Sequence, residues 1–198
     1  MNGLPTYTKV PRTTLWLLPE GPGVAALYVG KSVITNAQYE AFDPAHARAA
    51  VASGDDEPVV GVSFDEAAGY CEWYARISQK AFRLPTDAEW DHACRSGREG
   101  RWPWGDDASL GAARAWTLEN SAARTHDVES LRANPFGLHD TIGLAWEWTS
   151  SPGVPAATRL VRGGSFRTPL AEATCDVRRV RGDAERRDDV GFRIVRPL

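Results

Sequence analysis

The stretch Phe136-Gly-Leu-His-Asp-Thr-Ile-Gly-Leu-Ala-Trp-Glu-Trp-Thr-Ser150 constrains this chain more than any other. It packs two Trp, two acidic residues and two glycines into one short segment that keeps neither a helix nor a strand period. Such a segment needs something outside itself to order it. Asp140 and Glu147 lie seven residues apart, and Gly143 between them lets the backbone turn so that the main-chain oxygens of Gly143 and Ala145 face the two carboxylates. Hard oxygen ligands of that kind suit calcium. The same residues also read structurally: Asp140 caps a turn, Glu147 pairs with an arginine, and Trp146 and Trp148 are core. Spacing does not choose between the two readings, because the segment is not an EF-hand loop and carries no fixed-offset ligand motif.

A chain of 198 residues suffices for one domain with a sizeable core, since domains of this size bury roughly 70% of the surface exposed by the unfolded chain. One domain over residues 1–198 is the expectation, with an irregular lead-in over 1–23 where Pro5, Pro11, Pro19 and Pro22 fall. No run approaches the ~18 apolar residues of a membrane span, so no membrane partner is expected. The N-terminus lacks a basic segment followed by an apolar one, and the expected location is cytoplasmic. Cys71, Cys94 and Cys175 show no metal-ligand spacing; the first two sit in helical patterns and read as small buried thiols. Residues 160–198 hold nine Arg against six acids. Their interleaving, as in Asp183, Glu185, Asp188 and Asp189 among Arg181, Arg186 and Arg187, predicts local pairing, and nucleic acid is not an expected partner.

Along the chain, Thr14 to Leu18 and Ala25 to Lys31 are strand candidates. Thr35-Asn-Ala-Gln38, Ser63-Phe-Asp-Glu66 and Thr86-Asp-Ala-Glu89 have the form of capping boxes and predict three helix starts. In the second helix Phe64, Ala68, Cys71, Ala75 and Ser78 define one face, and Tyr70, Trp73 and Ile77 cover another, which predicts burial on more than one side. Gly97 is the expected stop of the third. From Gly97 to Ala157 no period persists, although five of the eight Trp lie there; aromatic burial and bound ions are what could order it. Strand-like runs return at Leu160 to Phe166 and at Val190 to Val195.

Phe136-Gly-Leu and Gly143-Leu-Ala-Trp-Glu-Trp-Thr149 resemble the signature of the formylglycine-generating enzyme, or sulfatase-modifying factor, family. The other segments of that signature follow in order: Val33 to Tyr39, Pro58 to Ala67, Arg83-Leu-Pro-Thr-Asp-Ala-Glu-Trp90, Trp102-Pro-Trp-Gly105, Arg162-Gly-Gly-Ser-Phe166 and Val190-Gly-Phe-Arg193. The resemblance implies an α+β, C-type-lectin-like fold with short helices, small antiparallel sheets and much irregular structure. It also implies a structural calcium site at Asp140, Gly143, Ala145 and Glu147, and a second one at Asn120, Ser121 and Asp127.

The family's founding activity oxidises a substrate cysteine to formylglycine with molecular oxygen and a copper(I) ion held by two cysteines, soft ligands that copper(I) selects. The matching positions are Thr168 and Ala173, with Cys175 nearby and, on sequence, alone, so copper and that activity are not expected. The pocket implied by the resemblance is walled by Ser165, Arg167, Thr168, Trp146, Asp188 and Asp189, which suits a peptide, a protein or a small polar ligand at the C-terminal face. The expectation is a calcium-stabilised binding domain of this family. A tailoring oxidoreductase with an altered site is the first alternative. A variable binding protein of a diversity-generating retroelement is the second, ranked lower because residues 163–192 hold no Asn and no Tyr.

Overall fold

The computed structural model describes residues 12–198, so the first part of the expected lead-in, residues 1–11, lies outside the described residues. Local signals set the helices. Thr35, Ser63 and Thr86 each accept a hydrogen bond from the main-chain N–H three residues on, and Gln38, Glu66 and Glu89 accept the cap residue's own N–H in return. These reciprocal bonds satisfy donors that a helix start leaves open. They begin α1 (Asn36–Glu40), α2 (Phe64–Ser78) and α3 (Asp87–Arg95). Ser96 takes the left-handed conformation at φ 49° and ends α3, one residue ahead of the stop expected at Gly97. In α2 the buried residues are Ala67, Tyr70, Cys71 and Trp73, whereas Ile77 is 38% exposed. The helix therefore buries one broad stripe, and Ile77 does not extend the second face expected for it.

Seven short strands follow in chain order: β1 (Leu15–Leu18), β2 (Leu27–Gly30), β3 (Trp146–Pro152), β4 (Thr158–Arg162), β5 (Arg178–Gly182), β6 (Val190–Gly191) and β7 (Val195–Pro197). They make a three-stranded antiparallel sheet ordered β1-β2-β7 and a four-stranded sheet ordered β5-β4-β3-β6, parallel only between β3 and β6. The run expected as one strand from Val190 to Val195 is thus divided, with Phe192 to Ile194 carrying the chain from one sheet to the other. The strand expected from Leu160 to Phe166 stops before Gly163. Part of the stretch that shows no strand period is β3, next to the edge strand β6. Trp146, Glu147, Trp148 and Thr149 are all buried, so the alternation that marks a half-solvated strand is absent. β5 carries Arg178, Arg179 and Arg181 at the open edge of the sheet, a placement that discourages pairing with another chain.

The largest apolar cluster lies between α2 and the four-stranded sheet and includes Tyr39, Tyr70, Trp73, Trp146, Trp148 and Phe192. Tyr70 and Phe192 meet edge to face with centroids 5.4 Å apart, and the Trp148 indole N–H donates to the Val62 carbonyl at 3.0 Å. A second cluster joins Trp90 and Cys94 of α3 to Trp102, Ile142, Ala173 and Cys175. Residues 97–157 are mostly irregular, with one 3-10 helix at Ala108–Ala113 and the strand β3. Aromatic burial and close backbone contacts hold the rest. No helix among the described residues is long and apolar enough to cross a membrane.

One such contact sets the shape of the organising stretch. Leu144 donates its N–H to the Trp116 carbonyl at 2.7 Å. Gly143 lies at φ 75°, and a Cβ there would stand 2.2 Å from the Trp116 carbonyl oxygen. Both the conformation and the approach exclude a side chain. Gly143→Ala is expected to lower stability by about 3 kcal/mol in urea unfolding; a variant as stable as the parent would show that the loop can move away at little cost.

Candidate functional site

Glu147 sits in the middle of the molecule. Its residue is fully buried, and both carboxylate oxygens are engaged: Arg193 donates Nη2–H to Oε1 at 2.7 Å and Nε–H to Oε2 at 2.6 Å. The Trp90 indole N–H also donates to Oε2, at 2.8 Å. Arg193 turns its remaining donors to the carbonyls of Gly30 and His139, at 3.1 and 3.0 Å. Of the two readings open for Glu147, the arginine pair is present, and Arg193 is the arginine.

Asp140 is placed differently. It is buried at φ 59°, and Oδ2 accepts the Glu129 N–H at 2.9 Å. Burial pushes its carboxyl up to about 6, against the pull of the Glu129 N–H, Arg193 and His139, while Glu147 adds to the rise. The Arg193 guanidinium is committed to Glu147 and to two main-chain carbonyls, and no ion pair to Asp140 is found among the described residues. No group of three or more His, Cys, Asp or Glu side chains among the described residues is placed to hold a metal, so an ion here depends on main-chain oxygens. Gly143 and Ala145 lie on the same stretch as Asp140, and that all-oxygen donor set fits a hard divalent cation. Glu147 fits less well as a dedicated ligand, because a metal would have to share its oxygens with Arg193 and Trp90.

The side chains of the second expected set have other partners or line a groove. The Asn120 side chain accepts the Thr117 N–H at 2.8 Å and donates to the Ala115 carbonyl at 3.0 Å. The Ser121 hydroxyl donates to the Phe166 carbonyl at 2.8 Å, and the Ser121 carbonyl is hydrogen-bonded to the His126 ring at 2.9 Å. Asp127 instead lines a polar groove of about 580 Å³ with Thr14, Gln38, Asp56 and Glu129, one that Asn120 and Ser121 do not line. The Asn120 and Ser121 groups thus tie turns together.

At the C-terminal face the expected residues do come together, as a hydrogen-bonded and largely buried cluster. Ser165, Thr168, Trp146 and Asp189 are all buried. The Thr168 hydroxyl accepts the Ser165 N–H at 3.0 Å, and the Ser165 hydroxyl donates to Asp189 Oδ2 at 3.3 Å. Arg187 holds the other Asp189 oxygen at 3.0 Å. Arg167 and Asp188 form a bidentate pair over the rim, and its hydrogen bonds hold the Asp188 carboxyl below the ordinary range. The Arg179 guanidinium lies 4.8 Å from the Trp146 ring centroid and pairs with Glu172 at 3.5 Å. The arginines of this tail do pair, but several do so with distant acids: Arg178 with Asp87, Arg186 with Glu66.

Neither position matching the copper cysteines carries sulfur. Thr168 is bonded to Ser165, and Ala173 is buried with its Cβ 2.8 Å from where a Cβ on Gly164 would stand. Cys175 is not alone, however. Its sulfur lies 2.8 Å from that of Cys94, a neighbour that a separation of 81 residues gave no means to anticipate. Burial pushes the Cys94 thiol well up, which opposes the thiolate that copper(I) needs. The copper ion of the resembling family does not fit these residues.

A family model described as the sulfatase-modifying factor enzyme 1-like domain matches residues 23–198. The formylglycine-generating enzyme of Streptomyces coelicolor is 34% identical over 152 residues, covering 62% of this chain and 46% of the relative. The inactive C-alpha-formylglycine-generating enzyme 2 of Mus musculus is 35% identical over 121 residues, covering 55% of this chain and 37% of the relative. The chain thus spans less than half the length of these relatives. Among solved structures, PvdO from Pseudomonas aeruginosa superposes with a TM-score of 0.78 at 20% identity, over 94% of this chain and 92% of that one. Treponema denticola variable protein 1 gives 0.78 at 18%, with the same coverages. At these identities the two structures speak for the fold, which is the one the resemblance implied.

Removing one partner of a buried ion pair strands the other's charge. Arg193→Ala is expected to cost about 3–5 kcal/mol in chemical unfolding. The double variant Arg193→Met with Glu147→Leu should recover much of that loss. Equal losses in both variants would mean that packing around the pair, and not its charge, carries the stability.

Proposed function

Because the chain belongs to the sulfatase-modifying factor enzyme 1-like domain family, we propose that it is a member that recognises a peptide, a protein or a small polar ligand and does not oxidise a thiol. The observation that carries this reading is the pair Thr168 and Ala173 at the positions where the oxidising relatives need two thiolates. A hydroxyl and a methyl group cannot ligate copper(I), and both residues are buried, Thr168 bonded to Ser165 and Ala173 packed among Trp90, Trp102 and Ile142. Recognition then falls to the outer layer of the same face, where Arg167, Asp188, Arg179 and Glu172 present two charge pairs on a fixed base. Such a surface suits a polar partner whose own charges exchange with these exposed pairs at small cost.

The purified protein, supplied with copper(I), oxygen and a cysteine-containing peptide, is expected to consume no oxygen above the protein-free rate. A displayed random-peptide library should yield binders that Arg167→Glu no longer captures. Oxygen uptake lost on Cys175→Ser would overturn the reading; binders indifferent to Arg167→Glu would move recognition to another face.

We also propose that calcium binds at Asp140 with main-chain oxygens of Gly143 and Ala145. The support is the buried Asp140 carboxylate and the resemblance of this stretch to the family's calcium loop. The ion would supply charge balance and order to a loop that keeps no regular period. Calcium at about 100 times its dissociation constant should raise the melting temperature by roughly 5–10 °C, and chelation should reverse the rise. The proposal fails if the shift survives in Asp140→Ala.

A further inference from the structure

Arg98, Pro103, Trp104, Leu110, Arg114 and Pro135 line a shallow surface pocket of about 150 Å³. Pro103, Trp104 and Arg114 also border an adjoining crevice, together with Arg132. Three arginines therefore surround one indole, and none of them pairs with an acid among the described residues. Arg162, Arg167 and Arg179 also lie over aromatic rings, but each of those carries an acidic partner as well. Arg98 and Arg132 are exposed, and so is the apolar side chain of Leu110.

The floor of this surface is fixed to the core. Trp104 stacks on buried Trp102 with ring centroids 5.7 Å apart, and the Trp102 indole N–H donates to the Ala173 carbonyl at 2.8 Å. The Trp104 indole N–H donates to the Asp107 carbonyl at 3.1 Å. The Arg132 N–H donates to the Ala113 carbonyl at 3.1 Å, which brings Arg132 beside Arg114. Pro135 follows Asn134, a buried side chain that accepts from Phe136 and Leu138 and donates to the Ala93 carbonyl. The acids of these loops are engaged elsewhere: Asp106 accepts the Arg101 N–H, and Asp107 accepts both the N–H and the hydroxyl of Ser109. Glu99 lines a neighbouring depression that Arg98 also borders, and not this pocket.

A pocket of this volume is smaller than the ~300–1,000 Å³ of a small-molecule site and takes a single side chain. The Arg114 guanidinium stands 6.0 Å from the Trp104 ring centroid, at the outer limit of a cation–π contact, so turning it toward a carboxylate sacrifices little. We propose that this surface docks an acidic segment of a partner protein. The segment seats one leucine or aromatic side chain against Trp104, Leu110 and Pro135, while carboxylates on either side of it pair with Arg98, Arg114 and Arg132. Paired guanidinium–carboxylate hydrogen bonds set the direction of the segment, and the apolar anchor excludes water from the centre of the contact. The site shares no residue with the surface of Arg167, Asp188, Arg179 and Glu172, so substitutions separate the two.

The test is fluorescence anisotropy with labelled pentapeptides that carry two glutamates on either side of a central residue: leucine, phenylalanine or tryptophan in three probes, glycine in a fourth. At least one apolar-centred probe is expected to bind saturably, with the glycine-centred probe roughly tenfold weaker. The double variant Arg98→Glu with Arg114→Glu should weaken the apolar-centred probe by roughly tenfold or more, and Leu110→Ser should also weaken it, whereas Arg167→Glu should leave it unchanged. Neither Arg98 nor Arg114 holds an ion pair, so their double variant should melt within about 3 °C of the parent. Absence of saturable binding by all three apolar-centred probes would overturn the proposal. Equal binding of the glycine-centred probe or of a single-stranded RNA would reduce the surface to a general anion site and overturn it too, as would binding that responds to Arg167→Glu and not to Arg98→Glu with Arg114→Glu.

Discussion

The pair between Glu147 and Arg193 is the constraint on which the rest of this structure depends. Desolvating two charges costs several kcal/mol for each ion, and the cost is offset only if every remaining polar site finds a partner. Arg193 meets that condition by donating to Glu147 twice and to the carbonyls of Gly30 and His139. Glu147 completes it by accepting from Trp90. These partners lie on β3, β2, α3, the segment between β6 and β7, and the loop before β3. One ion pair thus fixes the two sheets, the third helix and the organising stretch relative to each other. Hydrophobic contact, being non-directional, would not specify that arrangement as narrowly.

A second arginine repeats the device nearer the surface. Arg162 is itself fully buried. It reaches Asp87 and Asp91 on α3 and the main-chain oxygens of Val177 and Cys175, and its guanidinium lies 4.6 Å from the Trp90 ring centroid. Trp90 is held between the two systems, bonded to Glu147 at its N–H and covered by Arg162 on its face. Both arginines belong to signature motifs of the family, Arg162-Gly-Gly-Ser-Phe166 and Gly191-Phe-Arg193. Those arginines hold the scaffold together, so the motifs identify the fold whatever chemistry the chain performs.

That distinction explains what the sequence made legible. The three capping boxes are contacts between residues three apart, and each began a helix where the residues put it. The ordered motifs indicated the lectin-type framework. The sequence could state that Glu147 meets a cation or an arginine, but the arginine lies 46 residues away and only the folded sheet selects it. β3 was hidden because four consecutive residues are buried, and β5 because Arg-Arg-Val-Arg resembles a solvated charge run. Ile77 fits a helical period and still faces outward, since periodicity reports which residues share a side and not which neighbours arrive to cover it. The six residues expected at the C-terminal face are neighbours, as the resemblance implied. Only the folded chain shows that Ser165, Thr168, Trp146 and Asp189 are buried there.

The hydrogen bonds across that face change the energetics of any encounter there. The loop from Gly163 to Val177 carries little regular structure, yet it is tied at Ser165 to Asp189, at Ala173 to Trp102 and at Cys175 to both Arg101 and Arg162. A loop held at so many points has little conformational freedom left to lose when a partner arrives, and ordering cost is a principal term opposing association. The same ties oppose a catalytic role that requires the loop to open for a substrate and close over it. A framework with a loop tied at so many points is suited to presenting a fixed surface, with exposed charge pairs able to exchange partners above it.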